Sequence, residues 1–210
     1  MVSLNGSTES GASTDVLLAR AYLSRVAEPG SLAVWDWVRR EGPVDAARAI
    51  RAGTVPAEVA GVTAARRASA DPYADLEAAD RNGIRLVTPE SPDWPHRAIG
   101  ALERTARGRA ATATERDRGA AVPPLALWVK GPAELGNIDA RSAAIVGARS
   151  SSAYGDHVAA GLAHGLVGHG VTIISGGAYG IDAVAHRAAL GGEGRTVIVS
   201  AGGLDRPYPA

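Results

Sequence analysis

From residue 142 onward the chain alternates short aliphatic runs with longer amphipathic stretches, and this pattern constrains the fold more than any other feature. Strands are predicted over 143–146, 171–174 and 196–199, and helices over 154–169 and 181–190. Runs of four apolar residues bounded by glycine and serine are too short for buried helices, whereas the stretches between them carry helical periodicity. Strands separated by helices of this length require crossover connections, so the expected sheet is parallel, right-handed and covered on both faces. The predicted fold class is α/β, the opening and incomplete part of a Rossmann-like parallel sheet.

Ligands of such sheets bind beyond the carboxyl ends of the strands, so function is sought in the loops there. The first reads Gly147-Ala148-Arg149-Ser150-Ser151-Ser152, the second Ser175-Gly176-Gly177-Ala178-Tyr179-Gly180, and the third Ala201-Gly202-Gly203-Leu204-Asp205. Glycines let backbone approach a phosphate closely, and the helix that follows offers unsatisfied amides and partial positive charge. Arg149, Ser150 and Ser151 would add a guanidinium and hydroxyls to the donors of Ser175, Gly176, Gly177, Ala178, Tyr179 and Gly180. These nine residues form the predicted anion pocket, shared by loops on neighbouring strands.

The first loop lacks the Gly-x-Gly-x-x-Gly of dinucleotide sites, and no Gly-Lys-Ser/Thr ending occurs anywhere, so nicotinamide and P-loop chemistry are disfavoured. Tyr154, Tyr179 and Tyr208 fall in or beside the same loops. Aromatic faces beside a phosphate-gripping rim suit unpaired nucleic acid, whose bases stack without regard to sequence. With 22 basic and 22 acidic residues the chain is formally neutral, which argues against coating duplex DNA by bulk electrostatics. Any nucleic-acid site must be local. Lys130 is the single lysine, so its cations are arginines, suited to bidentate phosphate contacts.

The N-terminal half reads differently. Residues 1–14 have little to bury and are expected to be disordered. Helices are predicted from a cap at Asp15 to Val26, from a cap at Ser31 through Val38, over 44–52, over 57–68, and from Asp71-Pro72 to Arg81. A strand is expected over 84–87, an extended proline-rich stretch over 88–95, a surface loop or disordered insertion over about 103–121, and a further strand ending at Lys130. The expected organisation is a tail (1–14), a helical domain (15–70), a connecting region (71–130) and the parallel-sheet domain (131–210).

The absence of cysteine removes disulfides, thiolate metal sites and cysteine nucleophiles. No window approaches the roughly 18 apolar residues of a membrane span, and no signal pattern opens the chain, so a cytoplasmic location without membrane contact is expected. His157, His164 and His169 do not sit at metal-ligand spacing with carboxylates, and no nucleophile–base pair is visible. Asp182 and His186, four apart, are read as a helix-dipole partner and a packed or hydrogen-bonded residue.

The run Ala144-Ile-Val-Gly-Ala-Arg149, the helix opening Tyr154-Gly155, the run from Ile174 through Gly180-Ile-Asp182 with Ala185-His186, and Gly203-Leu204-Asp205 before Tyr208-Pro209 resemble the DNA-processing protein A family, DprA or Smf. Trp94-Pro95 and Leu127 to Gly131 extend the resemblance, and the helical region is similar to that family's sterile-alpha-motif (SAM)-like domain. The resemblance implies a cytoplasmic single-stranded DNA-binding protein, without catalysis, cofactor or metal. Such a protein protects incoming DNA in natural transformation and helps load the RecA recombinase. It further implies that Arg149 grips a phosphate and that Ser175, Gly176 and Gly177 line the pocket. Two departures stand out: Tyr179 occupies a position that is often Lys or Arg, and the sequence stops at Ala210 where the family continues. The expectation is therefore a C-terminally truncated member, in which the family's homodimer and RecA surfaces lie largely beyond the sequence. The residues alone leave two other readings open, a phosphoribohydrolase-type nucleotide enzyme and a remnant without function; the first is weakened because no Glu lies in the three loops.

Overall fold

The computed structural model describes residues 12–108, 122–132, 134–138 and 141–205. Packing divides the chain into Met1–Gly136 and Asn137–Ala210.

The first unit opens with five helices, α1 (Thr14–Val26), α2 (Leu32–Glu41), α3 (Pro43–Ala52), α4 (Ala57–Arg67) and α5 (Pro72–Arg81). Their apolar faces meet in one core, where Tyr22, Leu23, Val26, Val34, Ile50 and Val59 are each at most 2% exposed. The cap of α1 is Ser13, whose Oγ accepts from the Val16 amide, so the expected cap at Asp15 is displaced by two residues. Asp15 is already helical and instead sets its charge against the positive end of the helix dipole. Ser31 and Asp71 cap α2 and α5 as their positions predict. Asp71 accepts from the Tyr73 and Ala74 amides at 3.0 and 3.1 Å. Asp71→Ala is expected to remove about 1 kcal/mol and lower the thermal midpoint of this unit by a few degrees. An unchanged melt by circular dichroism would show that the cap contributes nothing.

Strand β1 (Ile84–Val87) pairs antiparallel with β2 (Leu127–Lys130), Ile84 opposite Lys130 and Val87 opposite Leu127. Residues 88–95 are not extended: Ser91 donates its amide to the Thr88 carbonyl and Trp94 donates to Ser91, giving two successive turns that bury Trp94. Thr88 is fully buried because its amide is met by the Ser91 hydroxyl at 3.1 Å. Helix α6 (His96–Gly108) follows, so the first six residues of the segment expected to be a loop are helical, and residues 109–121 lie outside the described residues. Arg20, buried on α1, donates to Glu90 and, at 3.1 Å, to the Leu125 carbonyl, tying the helix to the segments that follow β1 and precede β2.

A short helix, α7 (Leu135–Ile138), leads into the second unit, whose order is β3 (Ser142–Ala144), α8 (Ala153–Gly168), β4 (Thr172–Ser175), α9 (Ile181–Gly191) and β5 (Thr196–Ile198). The three strands are parallel in the order β3-β4-β5, with Ala143, Ile173 and Thr196 side by side. Ile173 at the centre is fully buried with Ala163 of α8 and Ala185 and Ala189 of α9. Both helices therefore cover the same face of the sheet. This corrects the expected two-sided cover: sequential winding sends each crossover over one side, and local periodicity carries no information about strand order. On the other face Val146 and Val199 are 72% and 64% exposed.

Candidate nucleic-acid interface

Two loops from neighbouring strands, the first after β3 and the second between β4 and α9, meet at the carboxyl edge of the sheet. Gly180 has φ +78° and ψ −132°, a conformation that side chains exclude. Its missing side chain is also needed for space, since a Cβ there would lie 2.2 Å from the Ala148 carbonyl oxygen and 2.6 Å from that of Arg149. The Ile181 amide then donates to the Ala148 carbonyl at 3.2 Å. Gly147 allows the same approach, because a Cβ there would meet Ile181 at 2.7 Å. Glycines on both sides thus let the first loop lie against the start of α9, with Arg149 at the junction.

The side chains sort into two groups. Arg149 and Ser150 are exposed, and Arg149 has no hydrogen-bond or ion-pair partner among the described residues. Tyr154 and Tyr179 are 78% and 55% exposed, while Tyr208 lies outside the described residues. Other hydroxyls are already engaged. Ser151 donates to Asp156 Oδ1 and Ser175 to the Ile145 carbonyl, both at 2.5 Å, and Ser152 caps α8 by accepting from the Gly155 amide. The Ser175 side chain, 3% exposed, therefore clamps β4 to the strand beside it and has no proton left for a ligand.

What the second loop offers is backbone. Helix α9 has no side-chain cap, and the amides of Gly176, Gly177, Ala178, Asp182 and Ala183 have no partner among the described residues. Unsatisfied amides at a helix start are a ready anion site. Asp182 sits in that first turn, 8% exposed, with Oδ2 2.7 Å from where a Gly176 Cβ would be, so a side chain at Gly176 would require the Asp182 carboxylate to shift. The third loop bonds internally, the Gly202 amide to the Ser200 hydroxyl at 3.1 Å. His186, read from the sequence as a packed or hydrogen-bonded residue, is both. The structure puts it under the second loop, bonded to Thr196 and to the Gly176 carbonyl. Among the described residues no cluster of His, Asp or Glu could hold a metal ion, and no helix is long and apolar enough to cross a membrane.

Parallel pairing, sequential order and glycine loops at the carboxyl edge define a Rossmann-like α/β protein. The model of the DNA recombination-mediator protein A family matches residues 85–210, and the chain belongs to that family. It is 50% identical over 192 residues to a putative DNA processing protein DprA of Mycobacterium tuberculosis, a match covering 91% of this chain and 47% of the relative. DNA processing protein DprA of Bacillus subtilis is 40% identical over 87 residues, covering 41% of this chain and 29% of the relative. The chain thus spans less than half the length of these relatives. An X-ray structure of DNA processing protein A from Streptococcus pneumoniae superposes with a TM-score of 0.58 at 22% identity, over 94% of this chain and 61% of that one, a likeness of fold.

Proposed function

We propose that the joined loops of the second unit bind the sugar-phosphate backbone of single-stranded DNA. Arg149, Ser150 and the amides of Gly176, Gly177 and Ala178 supply the donors, and Tyr154 and Tyr179 supply faces for bases. The observation that carries the reading is the seating of the Arg149 loop on the uncapped start of α9, which gathers a guanidinium without a carboxylate partner and several unsatisfied amides at one edge. Tyr179, at a position where the family resemblance implies Lys or Arg, offers a stacking face in place of a charge. Family membership supports extending the reading to the whole protein, a non-catalytic cytoplasmic factor that protects incoming DNA in natural transformation, assists RecA loading and pairs as a homodimer.

Arg149→Ala is expected to weaken binding of a labelled oligothymidylate roughly tenfold, the worth of one charged hydrogen-bonded contact. The slope of log affinity against log salt should fall by about 0.7, the loss of one phosphate contact on a single strand. Fluorescence anisotropy across a salt series measures both. Unchanged affinity and slope would remove Arg149 from the interface.

A further inference from the structure

We infer that His186 is a positioning residue that aims the Gly177 amide outward, a role that rests on the single-stranded DNA reading of this loop. His186 is 8% exposed on α9, packed beneath the second loop. Its Nδ1 lies 2.6 Å from Thr196 Oγ1 on β5, and its Nε2 lies 3.0 Å from the Gly176 carbonyl oxygen. Thr196 Oγ1 is in turn 3.0 Å from the Ile173 carbonyl oxygen. A carbonyl only accepts, so the imidazole must carry its proton on Nε2 and donate to Gly176. The ring is thereby fixed at both ends, between a strand and the loop.

The consequence follows from peptide geometry. In a planar trans peptide the C=O and the N–H of the next residue point in opposite directions. Drawing the Gly176 carbonyl down onto His186 turns the Gly177 amide away from the packed interior. That amide has no partner among the described residues. Two consecutive glycines, without Cβ atoms to restrict the plane, would otherwise let this peptide rotate between orientations. His186 holds the orientation in which an anionic oxygen above the loop finds a donor.

Three variants of the full chain test this, with labelled oligothymidylate as probe. His186→Ala removes both bonds, His186→Asn keeps a polar atom near the Nδ1 position that can accept from Thr196, and His186→Gln keeps a donor near the Nε2 position. Binding is expected to weaken roughly tenfold in His186→Ala and His186→Asn and to return to within about threefold of wild type in His186→Gln, as expected for one amide contact to a charged oxygen. A purely structural role would instead order the variants by thermal midpoint, so each is melted alongside. The Gly177 amide resonance should shift on oligonucleotide addition in wild type and His186→Gln but not in His186→Asn. Equal binding by His186→Asn and His186→Gln at matched stability, or wild-type binding by His186→Ala, overturns the inference. Should wild type itself fail to hold the probe, the single-stranded DNA reading falls, and a proton on His186 Nε2 bonded to Gly176, seen by nitrogen NMR, would still report the anchor on its own.

Discussion

Replacing Gly180 with alanine should unfold the binding edge of the second unit. Two penalties act together. The backbone of Gly180 lies at positive φ in a region that side chains all but exclude, which costs about 1–3 kcal/mol. The new Cβ would also sit 2.2 Å from the Ala148 oxygen, inside the contact distance of any carbon and oxygen, and that neighbour is backbone that cannot rotate aside. Relief requires the first loop to lift from α9, which breaks the bond from the Ile181 amide to Ala148 and separates Arg149 from the amides of the second loop. A total of about 3 kcal/mol or more is expected, against a typical domain stability of about 5–15 kcal/mol. Urea unfolding followed by circular dichroism and anisotropy with oligothymidylate should both register it. Native stability with native affinity would show that the loops need not touch.

Arg20→Met should destabilise the helical unit by roughly 2 kcal/mol. The substitution keeps the apolar stem but leaves the Glu90 carboxylate and the Leu125 carbonyl without their donor. Fully buried broken pairs cost about 3–5 kcal/mol; the Glu90 side chain is 32% exposed, so water recovers part of that. Burial alone would push the Glu90 carboxyl up, yet the hydrogen bonds and charge of Arg20 outweigh it and hold the group below its ordinary value. A carboxyl lowered on folding stabilises the native state fully above its unfolded value, near 4.3, and loses that contribution as pH falls through the lower folded value. Wild type should therefore lose stability on acidification in that window, and Arg20→Met should lose less. An Arg20→Met chain as stable as wild type at neutral pH would show the pair to be incidental, and Glu90→Gln added to it should recover part of the loss.

Most elements were legible because their signals are local. Ser31 and Asp71 announce their helices, Gly-Pro and Asn-Gly pairs end them, and the aliphatic runs after residue 142 mark three strands. The approach of the first and second loops was legible too, since neighbouring parallel strands bring successive loops together. What was not legible depends on distant partners. Nothing near Ile84 or Leu127 indicates that they lie in paired strands, because some forty residues and no turn signal separate them. The order β3-β4-β5, and with it the one-sided cover, is a property of winding. Ser151 and Ser175 read as ligand donors because their own acceptors, Asp156 and the Ile145 carbonyl, become evident only once the chain has folded. That His186 is packed and hydrogen-bonded was legible, but its partners, Thr196 and the Gly176 carbonyl, were not, for the same reason.

Among the described residues, the fully packed cluster at the heart of the second unit is Ile173 with three alanines, whose side chains each withdraw little apolar area from water. A scaffold held so lightly is tuned by whatever it carries. An occupant that prefers the native form adds RT ln(1 + [L]/Kd) to it, about 2.7 kcal/mol at a hundredfold excess over Kd. On the proposed binding, a nucleic-acid strand would act as a structural component of this unit, and the order of its loops is expected to track occupancy.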